Sequence, residues 1–138
     1  MDTAPKAIVR RVFEDVMSRG DLGAVDELLA KDVVFTTVNG DVLRGRSAFK
    51  HFAEQVRTAF PDIRFDIEAE LQDGDRVCSR YVMRGTFLST LMGLPPNGAS
   101  FAVRGIDIFR VRDGKVDEIH ASYDTLGQLQ QLGIVPRI

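Results

Sequence analysis

The sequence predicts an α+β fold in which a curved antiparallel sheet and several helices enclose an apolar pocket. Helical spacing of apolar residues dominates the N-terminal part of the chain, whereas apolar and polar residues alternate through most of the C-terminal part. The order helix, helix, strand, helix and then four strands excludes a repeated β–α–β unit. The 138 residues, 44% of them apolar, are enough for one sizeable core, and we expect 1–138 to form a single domain.

The N-terminal part is predicted to hold two helices and a short strand. Apolar residues recur at helical spacing from Ala7 to Met17, and again in a shorter segment after Asp21. β-Branched residues dominate 33–38, which is typical of a strand, and the turn signal Asn39-Gly40-Asp41 ends it. We expect this strand to enter a hairpin or a tight loop.

A third helix and two alternating strands are predicted to follow. An apolar stripe indicates a helix over 46–59. Residues 63–71 alternate between apolar and charged side chains, so this strand should bury one face, with Leu71 on it. Asp73-Gly74 then supplies a hairpin turn that leads into a second alternating strand, 76–87.

The C-terminal part is predicted to hold a loop, two strands and a short helix. Two prolines and an Asn-Gly pair exclude regular structure in 92–98. The strands, 101–111 and 115–123, are joined by the turn Asp113-Gly114. Asp124 is predicted to cap a terminal helix that a glycine ends.

The composition argues against several classes of function and location. Eighteen basic and 20 acidic residues give a formal net charge of −2 without any block of like charge, which argues against binding to nucleic acid or to an anionic membrane. No segment has the length and apolarity of a signal peptide or a membrane span, and the single cysteine, Cys78, cannot form an internal disulfide. We therefore expect a cytoplasmic protein.

Several motifs carry a resemblance to a known family. They are Gly93-Leu94-Pro95-Pro96-Asn97-Gly98, Gly105-Ile106-Asp107-Ile108-Phe109-Arg110, Asp113-Gly114-Lys115, and Asp124-Thr125-Leu126-Gly127 leading to Gln131-Leu132-Gly133. Together with the order of the elements, these motifs resemble those of the SnoaL-like polyketide cyclases over nearly the whole chain.

The resemblance implies a fold, a chemistry and an assembly. These cyclases belong to the nuclear-transport-factor-2-like superfamily, which implies a cone-shaped α+β barrel whose antiparallel or mixed sheet wraps around N-terminal helices and encloses an apolar pocket. The implied chemistry is an intramolecular aldol ring closure on anthraquinone methyl esters, with an acidic side chain as general acid/base and without a metal or an organic cofactor. The implied assembly is a homodimer formed through the outer sheet face.

Four positions differ from the residues that the best-known cyclases use. Their catalytic aspartate lies three residues before the aspartate that opens the terminal helix, and this position is Ala121 here. Their pocket histidine corresponds to Asp107. Met17 lies near the position of a tyrosine in those cyclases, and Phe52 near that of an asparagine.

Asp107 is the leading catalytic candidate. It shares strand parity with Val103 and Phe109, so it should point into the apolar interior. A carboxyl group there has a raised pKa and can exchange protons near neutral pH, as enolisation requires. The alternative is a structural Asp107 that pairs with a buried hydroxyl or backbone donor. Tyr81, predicted to face the same interior, either donates a hydrogen bond to a developing oxyanion or belongs to the core.

The other pocket candidates follow from strand parity and from the resemblance. Met83 lies on the side of its strand that carries Tyr81, and Tyr123 shares the parity of Ala121. We expect a small hydrophobic molecule to bind against Met17, Phe52, Met83, Phe109, Ala121 and Tyr123.

A metal site and a nucleotide site are not expected. The only two histidines, His51 and His120, are predicted to face solvent or a subunit contact, and the chain lacks metal-binding histidine or cysteine spacings. No glycine-rich segment opens a helix after a strand, as a phosphate loop would.

Three functions remain open. The leading hypothesis is a cofactor-independent cyclase or isomerase that enolises a hydrophobic ketone-bearing substrate with Asp107. The second is epoxide hydrolysis or epoxide-opening ring formation, which needs a second pocket carboxylate, and the third is a noncatalytic binding protein, as Ala121 suggests. In each case the strip formed by Arg104, Ile106, Ile108 and Arg110 is the predicted homodimer contact.

Overall fold

The computed structural model describes residues 2–137. Helix α1 (Pro5–Arg11) continues into a π-helical segment (Val12–Ser18), and α2 (Gly23–Leu28) follows. Pro5 suits the start of α1, because an N–H at that position has no partner within the helix. Both helices predicted for this region are therefore present, and the wider π-helical turn is an additional feature.

Two more helices contact the sheet. Helix α3 (Arg46–Ala59) has the bounds that its apolar stripe predicts. Helix α4 (Thr125–Gln131) follows Asp124, whose Oδ1 accepts a 2.8 Å hydrogen bond from the N–H of Gly127, so the predicted cap is confirmed. No helix within residues 2–137 is long and apolar enough to cross a bilayer.

Six strands form one mixed sheet. They are β1 (Leu29–Thr36), β2 (Val42–Arg44), β3 (Arg64–Asp73), β4 (Arg76–Thr86), β5 (Ser100–Arg112) and β6 (Lys115–His120). Their order in the sheet is β2-β1-β6-β5-β4-β3, with β1 and β6 parallel and the other pairs antiparallel. The predicted α+β fold with a mixed sheet is confirmed, but β2 and β3 are free edges, so the sheet is open rather than a closed barrel.

The prediction that Leu71 is buried is wrong. Ile67 pairs with Tyr81, but the next pair along the ladder is Ala69 with Arg80, so β3 contains one extra residue at this point. Such a β-bulge reverses the face on which every later side chain lies. Leu71 is consequently 71% exposed.

Strand β5 forms the inner wall of the fold. Its alternate residues from Phe101 to Val111 are buried, and the residues between them are exposed or half-buried. Phe13 of the π-helical segment packs on this wall, with its ring centroid 5.1 Å from that of Tyr81 and 5.4 Å from that of Phe109. The core and the cavity described below therefore share the inner face of the sheet.

Candidate active site

A cavity of about 510 Å³ lies between the inner sheet face, the π-helical segment, α3 and α4. Its size suits a drug-sized organic molecule, and its lining is mainly apolar. All eight residues that the sequence analysis assigned to the pocket line it, and their roles stay predictions. They are Met17, Phe52, Tyr81, Met83, Asp107, Phe109, Ala121 and Tyr123.

The Asp107 carboxylate is held through one of its two oxygens. The side chain points inward, as the alternation of β5 predicts, and the residue is only 7% exposed. Oδ1 accepts a hydrogen bond of 2.8 Å from the hydroxyl of Tyr81 and one of 3.3 Å from the backbone N–H of Ser122. Oδ2 makes no hydrogen bond with any residue from 2 to 137. This oxygen is therefore available to a ligand in the cavity.

Gly105 makes the approach of the tyrosines possible. It pairs with Tyr81 across the β4–β5 ladder and forms a bridge with Tyr123. A Cβ at this position would lie 2.5 Å from the Tyr81 hydroxyl oxygen and 2.8 Å from the Tyr123 Cβ. Because real Cβ atoms do not approach so closely, only glycine lets both rings lie beside Asp107.

Burial controls the ionisation of the site. Loss of hydration raises the pKa of the Asp107 carboxyl from its ordinary value of 3.8 to about 7, although the hydrogen bonds from Tyr81 and Ser122 act in the opposite direction. Burial, reinforced by the Asp107 charge, also raises the pKa of Tyr81 and of Tyr123. At neutral pH the carboxyl group can therefore exchange a proton, while both phenols keep theirs.

The ionisable groups of the cavity are few. Among the described residues that line it, Asp107 is the only carboxylate and none is a lysine, arginine or histidine. Within 2–137 no cluster of three or more histidine, cysteine, aspartate or glutamate side chains could hold a metal ion. The arrangement can therefore move a proton at one carboxylate in weakly solvated surroundings.

Comparison with known proteins places this geometry in a family. The profile of the SnoaL-like polyketide cyclases matches residues 7–132. The chain belongs to this family. The resemblance seen in the sequence motifs is thereby confirmed.

Two curated relatives are similar in sequence. The aklanonic acid methyl ester cyclase DnrD of Streptomyces peucetius is 30% identical over 92 residues, which cover 66% of this chain and 63% of that enzyme. The nogalonic acid methyl ester cyclase of Streptomyces nogalater is 28% identical over 111 residues, which cover 79% of this chain and 83% of that enzyme. The match with DnrD thus leaves more than a third of that enzyme unmatched.

Solved structures of two putative polyketide cyclases agree with the fold. IdmH, a putative polyketide cyclase from Streptomyces antibioticus, superposes with a TM-score of 0.85 at 30% identity and covers 94% of this chain and 98% of its own. A putative polyketide cyclase from Xanthomonas campestris pv. campestris gives a TM-score of 0.85 at 28% identity, covering 93% and 96%.

The sequence analysis did not predict four polar residues that line the cavity. Asn39 and Gln55 are exposed, whereas Thr125 and Gln128 lie on the cavity side of α4. Gln128 precedes the fully buried Leu132 by four residues, which places both on one helix face. This spacing could have identified Gln128 as an inward-facing glutamine.

Proposed function

We propose that the protein is a cofactor-independent cyclase or isomerase that acts on a small hydrophobic substrate with carbonyl groups, and that Asp107 is its general acid/base. The observation that supports this proposal is a nearly buried carboxylate with one oxygen unengaged, on the wall of a mainly apolar cavity. Membership in the cyclase family supports it independently.

The proposed reaction is an intramolecular aldol closure. Ionised Asp107 removes a proton from the carbon next to a substrate carbonyl, and the electron pair of that C–H bond forms an enolate. The enolate carbon bonds to a second carbonyl carbon of the same molecule, whose oxygen becomes an alkoxide. Protonated Asp107 returns its proton to this oxygen, so the reaction needs no oxidant or reductant. Return of the proton to another carbon instead would give an isomerase.

The two tyrosines take different roles in this proposal. The single hydroxyl hydrogen of Tyr81 is directed at Oδ1 of Asp107, so Tyr81 orients the carboxylate. The hydroxyl of Tyr123 makes no hydrogen bond within 2–137 and lines the cavity, which favours it as the donor to the developing oxyanion. The donor role predicted for Tyr81 would require it to release Asp107.

The test is turnover of the two methyl esters named for the relatives, aklanonic and nogalonic acid methyl ester, followed by chromatography and mass spectrometry. Asp107→Asn should lower turnover by about 100-fold or more while ligand binding persists. Asp73→Asn, at an exposed position at the end of β3, is the matched control and should change neither. Full turnover by Asp107→Asn would overturn the assignment of the base.

A noncatalytic binding protein is the second candidate, and Ala121 favours it. This residue lines the cavity at the position where the family resemblance expects the catalytic aspartate. Binding of both esters by the unaltered chain, with no product after prolonged incubation, would support this candidate. Epoxide opening by a carboxylate pair has less support, because Asp107 is the only carboxylate among the described lining residues.

We also propose a homodimer formed through the outer sheet face. Ile106 and Ile108 are 48% and 41% exposed on β5, beside an ion pair between Arg104 and Glu68. Replacing both isoleucines by lysine should convert the dimer to monomer in analytical ultracentrifugation, whereas lysine at the exposed Leu126 of α4 should not. A monomeric unaltered chain would overturn the proposal. That 1–138 form one cytoplasmic domain also remains a proposal.

A further inference from the structure

Gln128 is a buried polar side chain that the proposed chemistry does not use. It lies on α4, is 7% exposed and lines the cavity. Its side-chain amide makes no hydrogen bond with any residue from 2 to 137. By contrast, two neighbouring glutamines of α4 bind backbone carbonyls, Gln130 that of Pro136 and Gln131 that of Ala102.

A polar group that a ligand covers loses its hydrogen bonds with water, which is unfavourable unless the ligand supplies a partner. In this protein the amide opens onto the cavity, so a bound ligand can supply the missing partner. The hydroxyl of Thr125, one turn earlier on the same helix face, is also buried without a partner. This side of the cavity therefore offers the Gln128 amide to a ligand, and this amide is not hydrogen-bonded to Asp107.

The charges of the cavity indicate which ligand group fits there. An amide N–H donates to a ketone or ester oxygen, and such groups cross into an apolar cavity more readily than an ion does. A carboxylate would lose its hydration without meeting a cation, since no described lining residue is basic. It would also share the cavity with the negative charge of ionised Asp107.

We propose that Gln128 is a specificity-determining residue that hydrogen-bonds an uncharged ketone or ester oxygen of the substrate, so that the cavity selects an ester over the corresponding free acid. The proposal rests on the proposed function and deepens it, because it assigns the recognition of a neutral oxygen group to a side chain outside the proton-transfer site.

The test uses three fluorescent probes that share one ring system. They are methyl anthracene-2-carboxylate, anthracene-2-carboxylate and 2-(butan-2-yl)anthracene, whose side chain has as many non-hydrogen atoms as the ester group. Fluorescence titration of the full chain near pH 8 should give the ester an affinity about tenfold or more above that of the free acid, and the ratio of the ester affinity to the hydrocarbon affinity is the reference value for the variants.

Gln128→Met keeps the length of the side chain and removes the amide. The affinity for the ester should fall about tenfold relative to that for the hydrocarbon, because only the ester loses a hydrogen bond, and continued binding of the hydrocarbon shows that the cavity is intact. Gln130→Met makes the same replacement outside the cavity lining and should leave all three affinities unchanged. A ratio of ester affinity to hydrocarbon affinity that is unchanged in Gln128→Met, or a free acid that binds the unaltered chain as tightly as the ester does, would overturn the proposal.

The outcomes separate this inference from the proposed function. Asp107→Asn should keep the ratio of ester affinity to hydrocarbon affinity while turnover is lost. If that variant retains turnover and the ester preference still depends on Gln128, the assignment of the base fails and the recognition role stands. If none of the three probes binds the unaltered chain, this inference fails, and turnover of the two methyl esters still decides the proposed function.

Discussion

Replacement of Asp107 by asparagine should stabilise the protein, by an amount that grows with pH. Asparagine keeps an oxygen that can accept the hydrogen bonds from Tyr81 and Ser122, but it cannot ionise. The folded pKa of Asp107, about 7, lies above its ordinary value of 3.8. The folded state therefore holds this proton more tightly than the unfolded state, and the free energy of unfolding falls as pH rises between these two values.

The magnitude follows from the two pKa values. They differ by about three, and each pKa unit corresponds to about 1.4 kcal/mol. The natural chain should therefore lose about 4 kcal/mol of stability from this one group between about pH 4 and pH 7, with little further change from it above pH 7. Asp107→Asn lacks this loss, so the stability difference between the two chains should rise by about 4 kcal/mol across this range.

Urea unfolding at several values between about pH 4 and pH 8 measures the difference. Circular dichroism is a suitable signal because the chain has no tryptophan. Other titrating groups contribute equally to both chains and cancel, and Asp73→Asn, at an exposed site, should follow the natural chain at every pH. A stability difference between Asp107→Asn and the natural chain that does not depend on pH would refute the conclusion that burial raises the pKa of this carboxyl.

Three further predictions test the surroundings of the site and the bulge. Tyr81→Phe removes the 2.8 Å hydrogen bond that favours ionised Asp107, so the apparent pKa in a pH–rate profile should rise by about one unit, and an unshifted profile would contradict this. Gly105→Ala forces a Cβ against the hydroxyl of Tyr81, and thermal unfolding should show a loss of about 1–3 kcal/mol. Leu71→Lys should change stability by less than about 0.5 kcal/mol, whereas a loss of 2 kcal/mol or more would place Leu71 in the core.

Strand alternation predicted the inner wall of the cavity because β4 and β5 pair without a register shift. Along such a ladder, the face on which one side chain lies determines the face of every other side chain. Tyr81, Met83, Asp107 and Phe109 could therefore be assigned to the inner face from alternation alone. Met17 was located by the family resemblance, Phe52 by the resemblance and by the apolar stripe of its helix, and the fold brings both to the same cavity.

The same rule failed on β3, where the sequence carries no sign of the bulge. Past the bulge Glu70 faces inward instead of Leu71, and its side chain, 5% exposed, forms an ion pair with Arg10. A charged residue at this position looks like a solvent-facing one in the sequence. Glu70 is buried against Arg10 of α1, which is distant along the chain. Strand periodicity contains no information about such a partner.

The resemblance expects a catalytic aspartate at position 121, where this chain has Ala121, and Asp107 is the proposed carboxylate of the same cavity. The backbone N–H that holds Oδ1 of Asp107 belongs to Ser122, the residue directly after Ala121, at 3.3 Å. The Asp107 carboxylate, carried by β5, therefore reaches the segment directly after β6. This segment holds position 121, where the resemblance expects the catalytic aspartate of the related cyclases. General acid/base catalysis depends on where the carboxyl oxygen lies and on its pKa, and not on which strand supplies it. If this relocation is functional, Ala121→Asp should restore part of the turnover lost in Asp107→Asn, and a double variant that gains no turnover would contradict it.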